Sequence, residues 1–313
     1  QSTWGNQRRM MAQNQTFPCV GNHFARQPSL VPRRRSTAFS TKNNHDNSII
    51  NEEVKTLCKF KSRHNFIQVL EVSRRANHPL AGSRLLLLDS PGNIHSISFQ
   101  FKSLTNTYFD IFAMLPPLLP PGPIAVLGFG AGSAARLILD FYQDVTVHGW
   151  EIDPSVIAVG REFFGLDVLE KKYYRRLYIY IGDALNAGAG NSFAGILVDL
   201  FARGSVIPEL QEVEAWRMIR RKLVKGGRVM VNVGGRCVEA EDKGREGGSV
   251  MEATLKAMER AFGEEKVHVL QLGEGSQEED SAVALTGGEP DWERWRTELP
   301  LDLKGYIDVW KRR

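Results

Sequence analysis

The chain of 313 residues is long enough for one large or two modest domains, and 42% hydrophobic with 24% charged residues is ordinary for a globular protein. The formal charge of +4 sits in the amino terminus: Arg8, Arg9, Arg26, Arg33, Arg34, Arg35 and Lys42 precede the first acid, Asp46, and without these seven charges the remainder carries −3. No basic stripe for a nucleic acid, no apolar run near the ~20 residues of a membrane span, and no disulfide or zinc spacing among Cys19, Cys58 and Cys237 is left.

The acid-free start, rich in Arg, Ser, Asn and Gln, reads as a transit peptide over residues 1–50. Chloroplast is the first expectation, with mitochondrion and cytoplasm as alternatives. Residues 41–55 are polar and read as a linker. Over 56–118 the pattern predicts a small β-rich lobe with strands Phe66–Val72, Arg84–Asp89 and Ile94–Phe99. Ser90-Pro91-Gly92-Asn93 supplies hairpin chemistry between the last two strands. A helix over Thr105–Leu115 is stopped by Pro116 and Pro117. Such a lobe buries little alone, so it is expected to pack on the following unit or on a second copy, which leaves a homodimer open.

Ile124-Ala-Val-Leu127 has no polar interruption and predicts a strand buried on both faces. It runs into Gly128-Phe-Gly130-Ala-Gly132 and a helix over Ser133–Tyr142. Glycines at such a turn let a ligand approach the backbone, and the helix's first amides offer donors. The next strand, Val145–Trp150, ends at Glu151, and an acid there, about 20 residues past the glycines, suits the two hydroxyls of an adenosine ribose. Asp153-Pro154 then starts a helix over Val156–Phe164. Strands Leu177–Ile181 and Phe193–Val198 follow, leading into Asp183 and Asp199, and a helix over Glu209–Val224 precedes strand Arg228–Val233. Residues 234–248 read as a glycine-rich loop, Val250–Phe262 as a helix, and His268–Leu272 with Ser281–Leu285 as an antiparallel hairpin. Trp292, Trp295 and Trp310 read as caps on the core. The alternation specifies an α/β fold: a Rossmann-like, mostly parallel seven-stranded sheet over 121–313, closed by that hairpin.

Leu127-Gly-Phe-Gly-Ala-Gly132, Trp150-Glu-Ile-Asp-Pro-Ser-Val-Ile157, Gly182-Asp-Ala184, Val198-Asp-Leu-Phe201, Ile207-Pro-Glu-Leu210, Leu223-Val-Lys-Gly-Gly227 and Val231-Asn-Val233 occur in an order and spacing that resembles one family. It is the spermidine synthase-like branch of the S-adenosylmethionine-dependent (class I) methyltransferase superfamily, in its divergent, plant-type organellar form. The resemblance covers about Phe66 to Gly288 and includes Thr107-Tyr108-Phe109-Asp110 of the lobe.

The resemblance implies S-adenosyl-L-methionine, or its decarboxylated form, as ligand, without a metal. By it, Gly128, Gly130 and Gly132 admit the methionine portion, Glu151 holds the ribose, Asp183 the adenine amino group, and Ile152 and Ala184 complete the nucleotide site. Asp199 is placed to orient and help deprotonate an attacking amine, and Tyr108 and Asp110 to bind substrate. Aminopropyltransferases also carry acids where this chain has Ala131 and Ala202. Methyl transfer to an unidentified small-molecule or protein acceptor is therefore the leading expectation. Aminopropyl transfer with an altered amine site and a non-catalytic nucleotide-binding scaffold are the alternatives. No nucleic-acid partner is expected.

Overall fold

In a computed structural model, the residues described are 53–90, 92–186, 193–235, 238, 240–242, 244–263, 266–272 and 281–312. Residues 1–50, expected as a transit peptide, Pro91 of the predicted turn, part of loop 234–248 and the 273–280 connection lie outside the described residues. No described helix is long and apolar enough to cross a membrane.

The lobe is a four-stranded antiparallel sheet, β1 (Val54–Lys61), β2 (Phe66–Val72), β3 (Ser83–Leu87) and β4 (Ile94–Phe99), in chain order. The sequence reading missed β1 and ran the linker into it. This edge strand presents Lys55, Lys59 and Lys61 and is nowhere fully buried, so it carries no apolar run. The lobe has no separate core: Leu85 and Ile97 share one apolar cluster with Phe112, Ile124 and Ile138, while Ile67, Val69 and Leu86 pack with Val156 and Val159. The next helix, α1 (Tyr108–Phe112), is shorter than predicted. Asn106 in the left-handed region (φ 57) precedes it, and Pro116–Leu118 forms a separate 3-10 turn.

The large sheet begins with β5 (Ile124–Leu127), whose four side chains are all buried. Burying each larger one contributes about 1.5–3 kcal/mol, which makes this strand the centre of the sheet. It continues through α2 (Ser133–Phe141), β6 (Val147–Glu151), α3 (Pro154–Phe163), α4 (Leu166–Lys172), β7 (Leu177–Ile181) and β8 (Phe193–Val198). Sequence periodicity missed α4, whose seven residues bury only two leucines. A short hairpin, β9 (Phe201–Ala202) and β10 (Ser205–Val206), leads to α5 (Val213–Arg221). The helix predicted over Glu209–Val224 is therefore split, with Pro208–Gln211 a 3-10 turn and Leu223 already in β11 (Leu223–Gly235). Gly226 (φ 82) accommodates the irregular start of that strand. Then come α6 (Gly247–Phe262), β12 (Val267–Leu272), β13 (Ser281–Thr286), α7 (Trp292–Glu298) and β14 (Trp310–Arg312).

Sheet order is β14-β12-β13-β11-β8-β5-β6-β7. Pairs from β11 to β7 are parallel, and β11, β13, β12 and β14 pair antiparallel, so the predicted terminal hairpin is present and an eighth strand extends the seven. Trp295 and Trp310 are buried and Trp292 packs against the same core. From β5 the chain moves outward to β6 and β7, then returns to the other side of β5 as β8. The order reverses between β5 and β8, and a crevice opens at the carboxyl ends of strands at such a point.

Candidate active site

Gly128, Gly130 and Gly132 have φ of 84, 57 and 86, a region an L side chain rarely enters. A Cβ on Gly128 would lie 2.1 Å from the Asp199 carbonyl oxygen, and one on Gly130 2.6 Å from Ser96 Oγ. The turn is thus squeezed between the end of β8 and the hairpin lobe. Ala131 N–H donates to Ser96 Oγ (2.9 Å), and the Ser133 hydroxyl exchanges hydrogen bonds with the Ile97 backbone (3.0 Å each), fixing the lobe to the turn. Gly128 and Gly130 line a cavity of about 230 Å³ together with His64, Asn65, His95, Trp150, Glu151, Ile152, Asp183, Ala184, Asp199 and Ala202. Gly132 does not border it; it precedes α2 and packs near Leu166 and Phe129.

At one end of the cavity Glu151 is 6% exposed. One carboxylate oxygen accepts from Gly130 N–H (3.0 Å) and the other from Asp153 N–H (3.1 Å). Burial pushes its pKa up, and these backbone donors and nearby His95 oppose that push. A carboxylate offers about four lone-pair sites, so two remain for vicinal hydroxyls. Asp183 is exposed, its oxygens accepting from Leu185 N–H (2.9 Å) and Asn186 Nδ2 (2.7 Å). Ile152 and buried Ala184 supply apolar surface between the two acids. The lobe closes this end: the Ser62 hydroxyl and Asn65 Nδ2 both donate to Asp153 Oδ2, the second at 2.8 Å, while Asp153 Oδ1 caps α3 through Ser155 N–H. The donor set and the apolar floor fit an adenosine.

The other end is centred on Asp199. Tyr108 OH donates to its Oδ2 (2.8 Å) and Asn232 Nδ2 to its Oδ1 (3.0 Å). Burial pushes the Asp199 pKa up to about 6, against those two donors and the charge of His95. Tyr108 is 2% exposed and stands behind Asp199 instead of lining the cavity, and burial holds its hydroxyl well above its ordinary pKa. Its place is therefore that of a support for Asp199.

Asp110 corrects the sequence reading. It is fully buried, away from the cavity, and its carboxylate accepts from Thr105 N–H, Thr105 Oγ1, Asn106 N–H and Tyr306 OH at 2.7–3.2 Å. Those donors are already provided, so Asp110 fixes the approach to α1 and does not line this cavity. Ala131 is buried in the apolar cluster containing Ile67 and Val156 and does not line the cavity; Ala202 is exposed at the cavity edge.

Sequence reasoning missed three residues that shape the Asp199 end of the cavity: Asp89, His95 and Asn232. Asn232 lay inside a recognised strand without a role, and Asp89 and His95 lay in the hairpin lobe, far from the glycine turn. Asp89 closing the apolar run Leu85–Leu88 was the one local signal. His95 Nε2 meets Asp89 Oδ2 at 3.0 Å.

No protein-family model matches the chain. It is 24% identical over 265 residues to a probable polyamine aminopropyl transferase of Bifidobacterium longum, covering 79% of this chain and 54% of that relative. The chain thus spans about half the length of the curated relative it matches. Among solved structures, a probable spermidine synthase of Corynebacterium glutamicum matches with TM-score 0.56 and 17% identity, over 77% of this chain and 86% of that one. Spermidine synthase of Thermotoga maritima gives 0.57 and 14%, over 81% and 88%. A spermidine synthase in complex with the transition-state analogue AdoDATO gives 0.56 and 14%, over 81% and 87%. With a β-rich lobe stitched to a Rossmann-like sheet, the chain shares the fold of these spermidine synthase structures.

Proposed function

We propose that the crevice binds an adenosyl sulfonium and that the chain is a polyamine-type aminopropyltransferase with an altered amine site, moving the aminopropyl group of decarboxylated S-adenosylmethionine to an amine. The observation that carries this is Asp199, held by Tyr108 and Asn232 at the switch point and sharing one cavity with Glu151. In this reading Glu151 takes the ribose hydroxyls and Asp183 the adenine amino group. Ile152 and Ala184 flank the base, and Gly128 and Gly130 let the sulfonium end pass close to the backbone. Asp199 holds the attacking ammonium and stabilises the positive charge that grows on nitrogen. Glu151 and Asp199 together make the crevice anionic, which suits a doubly cationic donor and an amine acceptor. The curated relative, a probable polyamine aminopropyl transferase, supports the same reading.

One observation favours methyl transfer as the second reading. Ala131 is sealed in an apolar cluster and Ala202 has no acid, so neither place offers a carboxylate to the donor's own ammonium. A donor that keeps its carboxylate does not need that partner. Calorimetry with 5′-methylthioadenosine, S-adenosylmethionine and its decarboxylated form separates the cases. Tighter binding of the decarboxylated form is expected. Preference for intact S-adenosylmethionine turns the assignment to methyl transfer, and failure of all three to bind removes the nucleotide site.

A further inference from the structure

We propose that His95, oriented by Asp89, takes the proton from the attacking amine, while Asp199 holds that amine in place. This rests on the aminopropyl-transfer reading of the same crevice. Asp89 is 2% exposed and its carboxylate is enclosed by donors: Gly92 N–H (2.8 Å) and Asn93 N–H (2.9 Å) on Oδ1, Asn93 Nδ2 (2.8 Å) and His95 Nε2 (3.0 Å) on Oδ2. Burial alone would raise the pKa of Asp89, but His95, Asn93 and Gly92 together bring it below the ordinary carboxylate value. An ionised carboxylate has no hydrogen to donate, so Nε2 carries its hydrogen whether or not the ring is charged. The atom that gains and loses a proton is then Nδ1, which has no hydrogen-bond partner among the described residues. The imidazole is 16% exposed and lines the same cavity as Gly128, Gly130 and Asp199, with the edge of Phe201 beside it.

The competing proton acceptors are weaker. The Tyr108 hydroxyl donates to Asp199 and is held far above its ordinary value. Asp199 has a donor on each oxygen and a pKa of about 6. Around His95 burial acts to lower the imidazole's value, but the Asp89 hydrogen bond and the charges of Asp89, Asp199 and Glu151 carry it above the ordinary histidine value. Between two groups in one crevice, the imidazole is the stronger base.

The step balances. The acceptor's ammonium gives one proton to Nδ1 and becomes a neutral amine. Its lone pair forms the new N–C bond to the propyl carbon attached to sulfur, and the C–S pair stays with sulfur as the neutral thioether 5′-methylthioadenosine. The product is a secondary ammonium, and the imidazolium proton passes to water.

The test uses the full chain, 1,4-diaminobutane and decarboxylated S-adenosylmethionine. In His95→Gln the single-turnover rate is expected to fall by about 10²-fold or more, and the fall in rate that the parent shows at low pH is expected to move. The dissociation constant for 5′-methylthioadenosine should stay within twofold. A variant turning over within threefold of the parent, with the same pH profile, overturns the base assignment and leaves the transfer reading intact. A parent that binds 5′-methylthioadenosine but transfers nothing overturns both. Nitrogen-15 NMR of the parent's histidines needs no variant: an Nε2–H tautomer for neutral His95 is expected, and an Nδ1–H tautomer overturns the proposal.

Discussion

The two ends of the crevice are assembled by different rules. At the proposed nucleotide end each acid sits at or just past the carboxyl end of a parallel strand and is wired to its own neighbourhood in sequence: Glu151 to Asp153 and across to Gly130, Asp183 to Leu185 and Asn186. At the proposed acceptor end the partners come from four separate places: Tyr108 from α1, Asp199 from the end of β8, Asn232 from β11, and His95 with Asp89 from the lobe. The first arrangement survives wherever the strand–turn–helix pattern survives. The second depends on how the lobe is docked, so its chemistry can change while the nucleotide end stays the same.

Breaking the acceptor end alone gives the largest expected effect. Asp199→Asn should lower single-turnover transfer by about 10²–10³-fold, with 5′-methylthioadenosine affinity within twofold by calorimetry. Parent-like turnover in that variant would reduce Asp199 to a strand-end charge. At the nucleotide end, Glu151→Ala should weaken 5′-methylthioadenosine by more than about tenfold, a loss of about 1.4 kcal/mol or more. An unchanged dissociation constant there takes away the ribose role and with it the contrast between the ends.

The contrast sharpens with pH. Asp199, with a pKa of about 6, is charged above that value and neutral below it, so its attraction for a cationic amine is present at high pH and lost as pH falls. His95 acts in the same direction, because its protonation adds positive charge beside the site. Affinity for 1,4-diaminobutane should therefore fall about tenfold from pH 7 to pH 5, while 5′-methylthioadenosine binding changes less. Equal pH dependence for both ligands would mean that the two ends titrate as one unit. The smallest effect on the crevice is expected from Asp110→Ala. Leaving the Thr105 and Asn106 donors unpaired should cost about 1–3 kcal/mol of stability, read by thermal unfolding, with nucleotide affinity unchanged. A selective loss of diamine affinity would return Asp110 to the substrate site.

Much of the fold was legible because apolar periodicity is local. Ile124–Leu127, Phe66–Val72, Ile94–Phe99, Leu177–Ile181 and Phe193–Val198 emerge with the predicted bounds. The elements that escaped carry little periodic signal: β1 is a lysine-bearing edge, α4 is seven residues long, and β14 contributes three. The helix over Glu209–Val224 was read as continuous because its apolar spacing hides the 3-10 turn started by Pro208 and the early entry of Leu223 into β11.

By itself the sequence determined a glycine turn flanked by strand-end carboxylates at the mouth of a parallel sheet, because strand, turn and helix propensities act over a few residues. It could not distinguish Asp110 from Tyr108, two residues apart on one short helix, although one carboxylate is sealed among its own loop donors and one hydroxyl reaches a residue 91 positions away. Nor did it single out Asp89 and His95. Only the tertiary structure decided these, since it alone brings the hairpin lobe to the mouth of β5 and sets which polar groups face the crevice and which satisfy each other.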